Sequence, residues 1–327
     1  MSQNKKILLS GVKPTGRPHI GNYFGAMKQF VDLQNEYDAY IFVADWHAIT
    51  SVQNAEELKQ NTIDVVADYL AIGLDPDKVT IYKQSDITEH TELTWLFNCI
   101  TTVPYLMRAH AFKDSEAKNK EINVGLFDYP LLMAADILMY DADIVPVGQD
   151  QKQHIEYARD TAEKFNRIYG KTFKLPKELI MENVAVVPGT DGQKMSKSYG
   201  NTLGLFAEDD EIRKGVMSIP TDSKGIEDKK APDKDNVFAL HKLFTSGPEL
   251  DELRDRYLNG GIGYKESKDI LIKNMINFIA PLREKRKEIA GNTELIFDVL
   301  KRGGEKAQKI ASLKMNEVRK KVGTDIY

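Results

Sequence analysis

Residues 6–22 read KILLSGVKPTGRPHIGN, and the reading of this stretch decides the fold. Lys6–Val12 is a short apolar run of strand character, closed by the turn formers Lys13-Pro14-Thr15-Gly16. From Ile20 to Tyr37 the apolar residues recur at helical spacing, with Tyr23, Met27, Phe30 and Val31 on one face. A strand that passes through a tight turn into a helix is the opening unit of an α/β fold. Ligands of such folds bind at the carboxyl ends of the strands. The N–H groups at the start of the helix favour a phosphate there. Gly21 lets a backbone or a nucleotide come close. His19 and Asn22 lie three apart and can face one ligand. The plainer reading is a tight turn that His19 caps.

Working outward, strand-like and helix-like segments alternate. Ala39–Ala44, Val79–Lys83 and Asp143–Val147 read as buried strands. Asn54–Gly73, Thr88–Thr101, Leu126–Tyr140 and Asp150–Tyr169 read as helices, the first with Asn54 as cap and Gly73 as stop. This order predicts a Rossmann-like, doubly wound parallel sheet with helices on both faces. Pro188–Gly204 reads as a loop, and only helical patterns follow. The expected division is therefore an α/β domain over residues 1–204 and an all-helical domain over residues 205–327.

Composition narrows the class. The chain has 327 residues, 42% of them hydrophobic and 29% charged, which fits a globular enzyme and excludes collagen-like or disordered classes. No apolar run approaches the ~18 residues of a membrane span. A single cysteine, Cys99, excludes a disulfide framework or a cysteine-built zinc site. No secretory leader is read at the start, so a reducing, cytoplasmic setting is expected. The net charge of -4 argues against a nucleic-acid coat. Residues 282–321, however, carry twelve basic and six acidic side chains, either a solvated helix face or an RNA contact.

A second chemical cluster is Lys194-Met195-Ser196-Lys197-Ser198, in the loop at the end of the α/β region. Two lysines three apart among small hydroxyls can follow a pyrophosphate as the loop moves. Alone, such a string reads as an exposed loop. Together, His19-Ile20-Gly21-Asn22 and Lys194–Ser198 resemble the two hallmarks of the class I aminoacyl-tRNA synthetases. Residues 125–138 (GLFDYPLLMAADIL) and 145–154 (VPVGQDQKQH) are similar to the tryptophan-specific members. The resemblance covers the whole chain. It departs from the common bacterial pattern at Lys13-Pro14-Thr15, at His19, at Trp46 and at Ser115.

The resemblance implies ATP-dependent activation of L-tryptophan and transfer to tRNA(Trp). It implies ATP with Mg²⁺, held mainly by phosphates and water with no metal-ligating residues of the protein, and a homodimer. It implies His19, Asn22, Lys194 and Lys197 as catalytic residues. Lys13, Pro14, Thr15, Gly21, Asn22, Gly148, Gln149, Asp150, Val187 and Lys194 through Ser198 match ATP-binding positions. Leu9, His47, Tyr129, Met133, Asp136, Val145, Val147 and Gln151 match tryptophan-binding positions, with His47 near the substrate carboxylate and Tyr129 and Gln151 on the amino group. The residues themselves agree in part. Tyr129, Met133 and Asp136 are spaced four and three, so they share a helical face. An acid among apolar residues can accept an indole N–H, or can be a cap or an ion pair. A site built around a substrate N–H can discriminate by ~10⁴–10⁵.

Three other readings stay open on sequence. A tyrosine-specific enzyme shares both motifs and differs around Asp136. A small-molecule nucleotidylyltransferase shares the His19 turn and needs neither the lysine loop nor a helical half. A catalytically silent RNA-binding paralogue would not keep both motifs intact.

Overall fold

A computed structural model describes residues 5–109, 112–113, 122–147, 152–180 and 187–326. Among the described residues the strands are β1 (Ile7–Val12), β2 (Asp38–Val43), β3 (Val79–Lys83), β4 (Ile144–Val147) and β5 (Lys177–Ile180). They pair in the order β3-β2-β1-β4-β5, every pair parallel, with Leu9 opposite Tyr40 and Phe42 opposite Tyr82. The order reverses between β1 and β4, so the crevice for a ligand opens at their carboxyl ends. The expected strands and the parallel topology are present. β5 is an addition. Its sequence, Lys177-Glu178-Leu179-Ile180, is half charged, which suits a sheet edge and hides a strand from a hydrophobicity reading.

The longer helices are α1 (Ala55–Ala71), α2 (Glu89–Ile100), α3 (Val124–Met139), α4 (Lys152–Tyr169), α5 (Asp209–Met217), α6 (Asn236–Phe244), α7 (Pro248–Asn259), α8 (Tyr264–Ala290) and α9 (Thr293–Val322). Asn54 caps α1 by accepting the Glu57 N–H, and Gly73 follows it at φ +107°. The helix expected over 20–37 is less regular. One α turn at Ile20–Asn22 leads into a π turn, Tyr23–Met27, then α-helix from Lys28 to Leu33. The π turn carries Tyr23 and Phe24, which pack with Phe278 and Phe244 in an aromatic cluster, edge-on except for the stacked Phe24 and Phe278.

The chain packs as two units. The first comprises Met1–Gly16, Phe30–Glu182 and Asn292–Tyr327; the second comprises Arg17–Gln29 and Asn183–Gly291. This differs from one cut near residue 204, because α9 returns to the first unit and the His19 turn belongs to the second. The reason for α9 lies in two glycines. Gly303 and Gly304 weaken an isolated helix by about 1 kcal/mol each relative to alanine. Here a Cβ on Gly303 would stand 1.9 Å from the Ile81 carbonyl oxygen. The backbone of α9 therefore lies directly on the edge strand β3. Lys314 is buried and pairs with Asp141, while Arg319 grips Glu92 with two nitrogens. Lys306 reaches Asp38 and Arg302 reaches Asp77. In the second unit Arg283 pairs with Asp209, and the buried Arg286 guanidinium lies 5.9 Å from the Phe206 ring. The basic stretch 282–321 is thus divided between the units, and many of its cations serve internal contacts.

Candidate active site

In the first unit the carboxyl ends of the strands collect the polar groups. Lys13 follows β1, Asp45 and His47 follow β2, and Gln84 follows β3. Lys13 Nζ lies 5.6 Å from the centre of the Tyr129 ring, a cation–π distance. Asp136, on α3, is 1% exposed. His47 Nε2 lies 2.8 Å from its Oδ2, and His90 Nδ1 lies 2.6 Å from Oδ1. Gln84 Nε2 donates to Oδ1 at 2.7 Å. Burial alone raises a carboxyl pKa. The hydrogen bonds from His47 and His90 outweigh it and hold Asp136 at about 2. It is an ionised acceptor at neutral pH, so the imidazole nitrogens that face it carry the protons. His90 Nε2 in turn accepts from the Tyr140 hydroxyl at 2.9 Å.

The expected tryptophan-binding residues of this unit fall into two groups. Leu9, Val145 and Val147 are buried on the strands, while Tyr129 and Met133 are half-buried along α3 with Asp136. The Tyr129 hydroxyl meets His154 Nε2 at 2.8 Å. Tyr129 also stands edge-on to His47, ring centres 6.3 Å apart. His47 Nε2, expected near a substrate carboxylate, is committed here to Asp136. Gly148, Gln149, Asp150 and Gln151 lie outside the described residues.

The second unit holds the other motifs. His19 is the N-cap of its helix turn. Its Nδ1 accepts the Asn22 N–H at 3.3 Å, and Asn22 Oδ1 accepts the His19 N–H at 3.1 Å. The plain reading of this turn as a cap is therefore borne out. It has a chemical consequence: Nδ1 is an acceptor, so the proton of the neutral ring sits on Nε2. Burial, then the nearby Lys197 ammonium, lowers His19 to about 4. The ring is a neutral Nε2–H donor at pH 7. A Cβ on Gly21 would stand 2.9 Å from His19 Nδ1 and 3.4 Å from Met195 Cβ, which is why glycine occupies this position.

The lysine loop is built around Asn201. Its Oδ1 accepts the Ser196 N–H at 2.8 Å, and its Nδ2 donates to Asp191 Oδ1 at 2.7 Å and the Lys194 carbonyl at 3.2 Å. The Val187 carbonyl accepts the Met195 N–H at 2.9 Å. Met195 is 4% exposed and anchors the loop from inside. Lys194, Lys197 and Ser198 remain at the surface, where their side chains can follow an anion. Pro14 is buried beside the exposed Lys13 and Thr15 of the first unit.

Three participants escaped the sequence reading: Gln84, His90 and Asn201. For His90 a signal existed. It shares the buried face of α2 with Leu93, Thr94 and Phe97, at spacings of three, four and seven. Gln84 and Asn201 lie in turns, without a period to mark them.

An α/β unit with polar groups at its strand ends, and a second unit with a histidine turn and an anchored lysine loop, define a class of nucleotide-using enzyme. A family model for class I tRNA synthetases of the tryptophan and tyrosine type, "tRNA synthetases class I (W and Y)", matches residues 1–280, and the chain belongs to that family. Tryptophan--tRNA ligase of Fusobacterium nucleatum is 52% identical over 97% of this chain and 98% of its own length. The crystal structure of tryptophanyl-tRNA synthetase from Campylobacter jejuni complexed with ADP and tryptophan superposes with a TM-score of 0.92 at 44% identity, covering 97% of this chain and 99% of that one. The enzyme from Mycoplasma pneumoniae gives 0.82 at 30% identity, with 98% of each chain covered.

Proposed function

We infer that this chain is an ATP-dependent ligase that joins L-tryptophan to tRNA(Trp) in translation. The observation that carries this reading is the full-length match at 52% identity to a tryptophan–tRNA ligase. The buried, ionised Asp136 on the α3 face shared with Tyr129 and Met133 agrees with it. In the first step the tryptophan carboxylate attacks the α-phosphorus of ATP. The bond to the bridging oxygen breaks, and pyrophosphate leaves. In the second step a hydroxyl of the terminal tRNA ribose attacks the activated carbonyl, and AMP leaves. Both steps depend on positioning and charge stabilisation.

The roles follow from the family resemblance, with the chemistry of the side chains in support. Asp136 accepts the indole N–H, and Met133 offers a polarizable wall to the ring. Tyr129 and Gln151 take the amino group. His19 Nε2–H and Asn22 hold phosphate oxygens, and Lys194 and Lys197 accompany the departing pyrophosphate. Lys13, Pro14, Thr15, Gly148, Gln149, Asp150 and Val187 bind ATP on this reading, as do Met195, Ser196 and Ser198 of the lysine loop. Mg²⁺ arrives with ATP, bound by phosphates and water. The portion up to residue 204 activates the amino acid, and the helical portion after it takes the tRNA.

The active form is a homodimer; Trp95 on α2, 68% exposed, followed by the exposed Val103 and Met107, supplies apolar surface for it. No helix among the described residues is long and apolar enough to cross a membrane, and the working compartment is the cytoplasm. Tryptophan-dependent ATP–pyrophosphate exchange tests the assignment, with tyrosine as the competitor. Exchange with tyrosine in preference to tryptophan overturns it.

A further inference from the structure

A carboxylate offers about four acceptor directions, two on each oxygen. On Asp136, Oδ1 is filled by two donors: Gln84 Nε2 at 2.7 Å and His90 Nδ1 at 2.6 Å. Oδ2 receives one, His47 Nε2 at 2.8 Å. Among the described residues no donor fills the remaining direction, and it lies on Oδ2. The three donors come from three elements: the helical turn after β2, the turn after β3, and α2. None belongs to the helix that carries the acid. We propose that His90 and Gln84 are positioning residues for amino-acid selection, turning Asp136 so that its single remaining acceptor direction is the one offered to the indole N–H. The inference rests on the reading of the chain as a tryptophan-activating enzyme.

The surroundings favour orientation over simple neutralisation. His90 is fully buried and is itself fixed at both ends, by Asp136 and by the Tyr140 hydroxyl at 2.9 Å. The turn of α2 that bears it is held from α9. Glu89 accepts from Gln308 and from Ser312, and Arg319 holds Glu92 one turn further on. Among the described residues the titratable groups that face Asp136 are His47, His90, Tyr82 and Tyr140, and Glu89 in turn bears on Tyr140. Of these, the two imidazoles donate to it and stabilise its charge. Loss of one donor from so buried a site lets desolvation dominate and raises the pH at which the carboxyl takes a proton. A protonated, freely turning carboxyl no longer presents a fixed acceptor.

The test is steady-state ATP–pyrophosphate exchange between pH 5 and 8 on His90→Leu, His90→Asn and Gln84→Met. Leucine removes the donor, whereas the asparagine amide can stand where Nδ1 stands. For His90→Leu the KM for tryptophan is expected to rise at least tenfold at pH 8, with kcat and the KM for ATP within about threefold of the parent. That rise should grow toward pH 5. His90→Asn should recover the KM to within about threefold. Gln84→Met, which leaves the imidazole in place, should give a smaller rise with the same pH trend. It also keeps the proposal testable should His90→Leu fail to fold.

The inference is overturned by a parent-like KM at every pH in His90→Leu or Gln84→Met. It is equally overturned if leucine and asparagine raise KM alike, or if tryptophan and ATP parameters fall together without pH dependence, since those results mark a packing role. A parent enzyme without tryptophan-dependent exchange would instead refute the functional reading on which the inference rests.

Discussion

Replacing Asp136 by asparagine keeps the shape and removes the charge, and the surroundings determine how the amide must lie. The amide oxygen has to take the Oδ1 position, because Gln84 and His90 both donate there. The NH₂ group then faces His47 Nε2 in place of Oδ2. His47 must give up its Nε2 proton and carry it on Nδ1, a buried atom with no hydrogen-bond partner among the described residues. An unsatisfied buried donor costs about 1–3 kcal/mol. The variant also loses the charge-linked stability of a carboxylate held at about 2 against an ordinary 3.8. That contribution is on the order of 2 kcal/mol, present above the unfolded value and lost as pH falls through the folded one.

The substrate meets a second change. The direction left on Oδ2 for the indole N–H becomes an N–H itself. A hydrogen bond to a charged group contributes ~1.5–3 kcal/mol, so kcat/KM for tryptophan should fall roughly 10- to 150-fold. The KM for ATP should hold. Tryptophan-dependent exchange, with circular dichroism to verify folding, reads this directly. A folded Asp136→Asn enzyme with unchanged kcat/KM for tryptophan would refute the reasoning.

Lys194→Ala and Lys197→Ala should lower kcat and kcat/KM for adenylate formation together, with tryptophan binding in the absence of ATP unaltered; an equal loss of equilibrium binding would make the loop structural. His19 is held at about 4 against an ordinary 6.5, so the unfolded chain takes up this proton first and stability should fall as pH drops from 6.5 toward 4. His241 is lowered to about 4 as well, so the His19 share is read as the part of the pH 7-to-5 change in urea midpoint that disappears in His19→Gln. An identical pH response in parent and variant would contradict the assignment. Gly303→Ala puts a methyl 1.9 Å from the Ile81 carbonyl oxygen and should destabilise the fold by about 3 kcal/mol or more, seen as a lowered melting temperature. Unchanged melting would show that α9 can lift off β3 without cost.

Much of the first unit is written in periodicities that a sequence displays. The runs at Lys6–Val12, Ala39–Ala44 and Val79–Lys83 are apolar because both faces of a parallel sheet are covered. The spacing of Tyr129, Met133 and Asp136 is a helix face and reads as one. What stays hidden is chosen by tertiary contact. Nothing local marks Gln84 as a partner of Asp136, since the two meet only after β3 and α3 pack. The strand Lys177–Ile180 carries charge because it is an edge. The glycine pair in α9 looks like a defect in a helix until Ile81 is placed beneath it. The motif His19–Asn22 illustrates a different limit: its spacing serves the cap and leaves His19 Nε2–H free of that cap, so the plain and the functional readings are not exclusive.

The contact between Gly303 and Ile81 joins the first quarter of the chain to its last tenth. During synthesis β3 leaves the ribosome long before the helix that covers it exists. Until then the sheet has an open border with unpaired N–H and C=O groups, the kind of border that recruits other strands. The arrival of α9 is therefore what closes this border of the sheet. A message cut short before α9 would yield an adhesive fragment rather than a slower enzyme, and translation itself would be deprived of the product it requires.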